Sequence, residues 1–171
     1  AVVDAVNARG YGLTLGVHAF GATVGEFSSG DVLRARTRLR VVGGFLSYDA
    51  RDWEVFGEYY RFRNDDLAGS GARTSNAGFL QVGRSWDAWT PYLRWERASL
   101  DPLDDYFRSQ RNGRSFTHVV LGARYALDAN ASLKFELRHS RESAASQFDE
   151  SGGLVDVDAV SYRRAQVQYS I

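Results

Sequence analysis

The stretch FLQVGRSWDAWTPYLRWER, residues 79–97, decides the fold. Leu80, Val82 and Trp86 oppose Phe79, Gln81 and Gly83 before Asp87-Ala88. After it, Trp89, Pro91, Leu93 and Trp95 oppose Thr90, Tyr92, Arg94 and Glu96. A period of two means a strand with two unlike faces. Two such runs around a two-residue turn read as a hairpin. Pro91 begins its strand, where a missing backbone donor costs least. Arg84 falls on the apolar face, but close enough to the turn to snorkel toward water.

The same pattern continues in both directions. Tyr11–Phe20 alternates, with an extension toward Phe27, and so does Arg38–Tyr48. In the next run Trp53, Val55, Gly57 and Tyr59 oppose Glu54, Phe56, Glu58 and Tyr60. Further on, Val119, Leu121, Ala123 and Tyr125 oppose His118, Val120, Gly122 and Arg124. Leu133, Phe135 and Leu137 then oppose Lys134, Glu136 and Arg138, and Ala165, Val167, Tyr169 and Ile171 oppose Arg164, Gln166, Gln168 and Ser170. About eight strands are expected. Ala1–Arg9 reads as a helical turn or the tail of a missing segment.

The connections alternate in length. Asp49–Asp52, Asp87–Ala88 and Asp128–Ser132 are tight, whereas Ser28–Arg36, Asn64–Ser75, Ser99–Ser115 and Glu142–Val160 are long and polar. Short turns at one rim and long loops at the other are the pattern of an all-β, antiparallel transmembrane β-barrel of the outer-membrane type. An even strand count would return both termini to the short-turn rim.

Composition fits one domain over residues 1–171. No apolar run reaches the ~18 residues of a transmembrane helix. Cysteine is absent, which excludes disulfides and thiolate metal sites. The net charge of zero gives no support for a nucleic-acid partner. The chain has no Met and no visible signal segment. The domain is therefore expected to be a processed barrel or the C-terminal strands of a larger one.

Alternation alone does not say which face is inside, since a soluble ligand-binding barrel also alternates. Aromatics sit at both ends of the apolar face: Trp53, Trp86, Trp89, Tyr125 and Tyr169 near the short turns, Tyr59 and Trp95 toward the long loops. Two such levels are the girdles of a barrel in lipid, so the apolar face is assigned outward.

The run Trp53-Glu54-Val55-Phe56-Gly57-Glu58-Tyr59-Tyr60 and the run Trp86-Asp87-Ala88-Trp89-Thr90-Pro91-Tyr92-Leu93-Arg94-Trp95-Glu96-Arg97 resemble the C-terminal region of Gram-negative porins. Leu121–Lys134, with its short Asp-containing turn, is similar to their next hairpin. The resemblance spans about residues 40–171. The chain departs from that family in ending on Ile171 rather than an aromatic residue. The resemblance implies an outer-membrane location and passive diffusion of small solutes. Porin constriction residues lie on an inward-folded loop, and no position in this sequence matches them.

The expected lumen-lining set is Arg38, Arg40, Glu54, Glu58, Arg94, Glu96, Arg124, Lys134, Glu136, Arg138 and Arg164. Seven of these are basic and four acidic. That excess favours small anions if the lumen holds water. In a closed eight-stranded barrel the same groups would instead form a salt-bridge network without conductance. No enzyme, cofactor or metal is expected. His18 and His118 share a face without a third ligand, and a charged lumen suits no acyl pocket. The loop carboxylates Asp101, Asp104, Asp105, Asp149, Glu150, Asp156 and Asp158, with Arg108, Arg111 and Arg114, read as a solvated surface. Expected partners are outer-membrane lipid, lipopolysaccharide and small solutes. The sequence leaves oligomeric state and the choice of solute open.

Overall fold

A computed structural model describes residues 3–10, 12–27, 33–69, 71–104, 106–108, 113–148 and 154–170. Expectations on Ala1, Tyr11, Ser28, Asp105, Arg111, Asp149, Glu150 and Ile171 lie outside that set. The strands are β1 (Val3–Gly10), β2 (Leu13–Phe27), β3 (Leu33–Ala50), β4 (Trp53–Asp66) and β5 (Gly71–Arg84). Then follow β6 (Trp89–Ser99), β7 (Phe116–Ala126), β8 (Ser132–Glu142), β9 (Ala145–Phe148), β10 (Leu154–Val157) and β11 (Val160–Ser170). Nine of them form one sheet in the order β1-β2-β3-β4-β5-β6-β7-β8-β11, and β9 pairs with β10 in a separate hairpin. Every pairing is antiparallel. The longest helical piece among the described residues is the turn at 106–108.

All eight expected strands are present, as β2–β8 and β11. β1 is an addition, in a segment expected to be a helical turn or tail. It pairs along its whole length, from Val3 opposite Phe20 to Gly10 opposite Leu13. Its sequence, VDAVNARG, does not sort apolar from polar residues with a period of two, and the ladder of β2 supplies its hydrogen bonds.

The second difference concerns the connections. The expected long loop Asn64–Ser75 is mostly strand, because β4 runs to Asp66 and β5 starts at Gly71. Likewise β3 starts at Leu33, inside the expected loop Ser28–Arg36. Ladder pairing needs only backbone groups, so it continues where both faces turn polar. Polarity there marks the reach of the wall beyond its apolar band, not the end of the strand.

The tight turns are where the sequence puts them. Trp86 and Trp89 exchange backbone hydrogen bonds of 2.7 and 2.9 Å around Asp87-Ala88. Asp87 takes φ +52°, a left-handed conformation that Asp tolerates better than most residues. At the 127–131 turn the Asp128 carboxylate accepts from the amides of Asn130 and Ala131, the local bond that makes Asp a turn residue.

Exposure settles the two faces. Val120 is fully buried, and its neighbour Leu121 is 61% exposed. Leu13, Leu15, Leu80, Leu93, Val119, Phe135, Leu137 and Val167 are exposed on the same side, and Val55 and Val82 are half-exposed. This outer band is about four outward residues tall: Trp53, Val55, Gly57 and Tyr59 on β4, Trp89, Pro91, Leu93 and Trp95 on β6. Four such residues span roughly 20 Å of strand at ~3.3 Å per residue, close to the ~25 Å apolar band of a membrane barrel. Arg84 lies on this face at its lower edge. Its guanidinium sits over the rings of Trp53 and Trp86, 5.5 and 5.1 Å from their centroids. The two indoles hold the cation at the rim.

Candidate functional site: the charged inner face

Pairing fixes which residues share the inner face, because cross-strand partners point the same way. Glu54 lies opposite Gly83, Gly83 opposite Tyr92, Tyr92 opposite Gly122, and Gly122 opposite Glu136. The row that holds Glu58 continues through Phe79, Glu96, His118 and Ser140. Thus Glu54, Glu58, Arg94, Glu96, Arg124, Lys134, Glu136, Arg138 and Arg164 all lie on one face.

Arg38 and Arg40 do not. Arg40 pairs with Gly21 and Arg63, and Arg38 pairs with Thr23 and Asp65, in the parity of Leu46, Tyr59 and Leu80. They project from the outer face above the apolar band. On β3 the alternation is ambiguous, since Leu39, Val41 and Phe45 form an apolar row of their own. That row faces inward, against Asn64, Phe62 and Glu58 of β4. The corrected inner set has five basic and four acidic members.

The ion pairs run both along strands and across them. Arg94 Nε meets Glu96 at 2.6 Å and its Nη1 meets Glu136 at 3.2 Å. Lys134 Nζ is 3.0 Å from Glu136. Arg124 on β7 reaches Glu54 on β4 at 3.1 Å, past two intervening strands. His118 Nδ1 lies 3.1 Å from Glu96. These groups are partly open to the lumen side, where exposed pairs contribute only ~0–1 kcal/mol each. Their main effect is to neutralise the wall locally. Arg138 Nε is buried and has no hydrogen-bond acceptor among the described residues, and Arg138 stands directly opposite Arg164.

Glycine makes the long reaches possible. The Glu54 side chain lies across Gly83, where a Cβ would come within 2.9 Å of it. The Tyr92 ring lies flat over Gly122, and its hydroxyl donates to Glu136 Oε1 at 2.6 Å. A Cβ on residue 122 would overlap that ring. Gly122→Val is therefore expected to cost about 1–3 kcal/mol through overpacking and to break the Tyr92–Glu136 bond. Equilibrium denaturation of the vesicle-inserted protein checks it. A Gly122→Val variant as stable as the parent would contradict the account.

The connection from β6 to β7 was expected as a solvated loop. Its first part instead lies on the inner face of β4 and β5. These strands continue above the end of β6, and the chain leaving Ser99 leans on that taller wall. Ser75 Oγ accepts from the Asp101 amide at 3.0 Å, and Asn64 Nδ2 donates to Asp104 Oδ2 at 2.8 Å. Phe107 meets Phe62 edge-on, with centroids 5.3 Å apart. Asn64, Ser75 and Asp104 are buried. Ser115 ties the return of the segment to Leu100. Sequence reading missed Asn64, Ser75 and Phe107, and it read Asp104 as a solvated loop acid, whereas Asp104 is buried against Asn64. Their one signal was Asn64 and Ser75 on inward parity in strands that appeared to have ended.

Burial pushes the Asp104 carboxyl above its ordinary pKa, and Asp101 adds to the rise. Hydrogen bonds from Asn64 and from the amides of Tyr106 and Phe107 oppose it. A folded pKa above the undocked one means that the docked state takes up a proton. Docking should then strengthen as pH falls through the raised pKa toward the ordinary Asp range, and weaken as pH rises through it. Amide exchange within 101–108 should slow on acidification beyond its intrinsic pH trend. Faster corrected exchange at low pH would reverse the sign.

The remaining candidates separate. His18 lies tilted against Tyr60, centroids 5.1 Å apart, whereas His118 contacts Glu96 and stacks on the Phe116 ring. They meet different groups and do not converge on one ion. Arg114 binds Glu142 and the Asp158 carbonyl, and Asp156 accepts from Ser146. A hollow of about 500 Å³ lies beside the ion pairs, lined by Phe45, Phe56 and Phe79 with Gln81, Arg94 and Glu96.

No protein-family model and no curated protein matches this chain. Among solved structures, in-vitro folded OmpT of Vibrio cholerae, an outer membrane protein in its trimer form, is similar with a TM-score of 0.62. Identity is 16%, over 95% of this chain and 52% of that one. The fold is that of an outer-membrane β-barrel. This chain spans about half the length of the OmpT chain, and at that identity the likeness speaks for the fold alone.

Proposed function

We propose that this chain forms the wall of a porin-like barrel in the bacterial outer membrane and passes small solutes passively, without covalent chemistry. The observation that carries the reading is the docking of Asp101, Asp104 and Phe107 on the same inner face that carries the ion pairs. A wall whose inner side is polar, and is narrowed by a folded-in connection, suits a water-filled path. Among the described residues no pairing joins β1 to β11, and the inward Arg164, Gln166 and Gln168 are exposed. That supports a wider barrel over a closed eight-stranded one. The sites' finer preference follows from charge. Glu54, Glu96 and Glu136 are engaged by cations, while Arg138 and Arg164 face each other without a carboxylate among the described residues. The path should prefer small anions, and the Phe-lined hollow suits those with an apolar part.

Planar-bilayer recording under a salt gradient tests this. We expect channels with a mildly anion-selective reversal potential that shrinks as salt rises. Replacing Arg94, Arg124 and Arg138 together with Gln should abolish or invert it. A cation-selective potential in the parent defeats the anion reading, and an absence of channels defeats the porin reading.

A further inference from the structure

The outer face changes character abruptly above the apolar band. On β3 the run Tyr48, Leu46, Gly44, Val42 is followed by Arg40, Arg38 and Arg36. On β4, Tyr59 is followed by Arg61 and Arg63; on β6, Trp95 is followed by Arg97. On β8, Leu137 is followed by His139 and Arg141, and on β11, Ala165 is followed by Arg163. All of these arginines are exposed. The register sets Arg40 directly opposite Arg63. Like charges in facing positions destabilise a sheet unless something neutralises them. Among the described outward residues above the band on β2–β8 and β11, Asp65 is the one carboxylate. None of these arginines is ion-paired to a carboxylate among the described residues.

The other rim is different. Its outward cation, Arg84, is held by Trp53 and Trp86, and its turns carry Asp52, Asp87 and Asp128 against the one cation Arg51 among the described residues. Positive charge is thus concentrated at one level of one rim, just beyond the aromatic residues Tyr59 and Trp95.

We propose that Arg40, Arg61, Arg97 and Arg163, with Arg38, Arg63 and Arg141 behind them, form an outer ring that binds the phosphates of lipid headgroups in the adjoining leaflet. Guanidinium matches phosphate in a bidentate fork. The ring abuts a surface that lies against acyl chains, which places it at headgroup depth. That position favours a phosphorylated lipid over an acidic protein. A multiply phosphorylated lipid would bridge facing arginines and cancel their repulsion. The inference rests on the outer face being embedded in lipid.

The test uses the full chain inserted into phosphatidylcholine vesicles that contain a minor fraction of brominated lipid A, in diphosphorylated or monophosphorylated form. Quenching of tryptophan fluorescence reports which lipid gathers at the wall, Trp95 lying beside the ring. The diphosphorylated form should quench more, and less so at high salt. Arg40→Gln, Arg61→Gln, Arg97→Gln and Arg163→Gln combined should lower the preference at least tenfold, on the order of a fewfold per arginine removed. Arg51→Gln in a short turn should leave it unchanged. If the fourfold variant does not insert, the single variants Arg61→Gln and Arg97→Gln should each lose a fewfold. Undiminished preference in inserted variants overturns the ring. Displacement of the lipid by millimolar inorganic phosphate would make it a free-anion site. Equal binding of soluble polyglutamate, with no lipid A preference, would assign it to an acidic protein. Failure of the parent to insert would instead overturn the lipid-facing assignment itself.

Discussion

Leu121→Arg is expected to cost about 2–4 kcal/mol of folding free energy in a bilayer, the depth-dependent cost of a cation near the midplane of a barrel's lipid face. Leu121 is outward and 61% exposed, paired with Leu93 and Leu137 in the middle of the band. Nothing polar lies level with it. Gln166→Arg, on the inward parity of β11 opposite Glu136, should be much milder. Its guanidinium would meet a carboxylate and water. Reversible denaturation in phosphatidylcholine vesicles gives both values. Equal costs at the two positions would remove the distinction between the faces on which the functional reading depends.

Asp104→Ala should release the inward segment and raise conductance. Asn64 Nδ2 donates to Asp104 in a buried position, and removing its acceptor leaves an amide unsatisfied there at about 1–3 kcal/mol. Phe107→Ala should add to it, because an edge-on ring pair contributes about 0.5–1.5 kcal/mol beyond area burial. Together the two changes should convert a steady narrowed path into a larger or flickering one. Single-channel recording reads the change directly. The same conductance in parent and double variant would mean that 101–108 does not narrow the path.

The eight strands, their tight turns and their exposed band were legible because each depends on local signals. Alternation at Trp53–Tyr60 and Trp89–Glu96, and Asp at positions 87 and 128, carry their meaning within a few residues. What failed was non-local. β1 exists because β2 offers it a ladder. The upper halves of β3, β4 and β5 persist in polar sequence because backbone pairing does not need apolar side chains. Arg38 and Arg40 were placed inward because β3 presents two mixed rows, and only the register against Tyr59 and Leu46 decides between them. The docked segment was invisible for a similar reason. Asp104 looks like any loop acid until Asn64, forty residues earlier in the chain, closes on it.

The glycine under the Tyr92 ring has a consequence for how relatives of this chain can diverge. Outward positions such as Leu93 and Val167 are free to drift among apolar types, since lipid asks only for hydrophobicity. Residue 122 is not free. A side chain there displaces the ring from β6, which takes the Tyr92 hydroxyl away from the carboxylate on β8 and leaves that carboxylate to Arg94 and Lys134 alone. Residues 92, 122 and 136 should therefore be inherited as one unit, changing together or not at all. Such a lock on the inside and such latitude on the outside allow a wall of this kind to keep its shape while little else in its sequence stays recognisable.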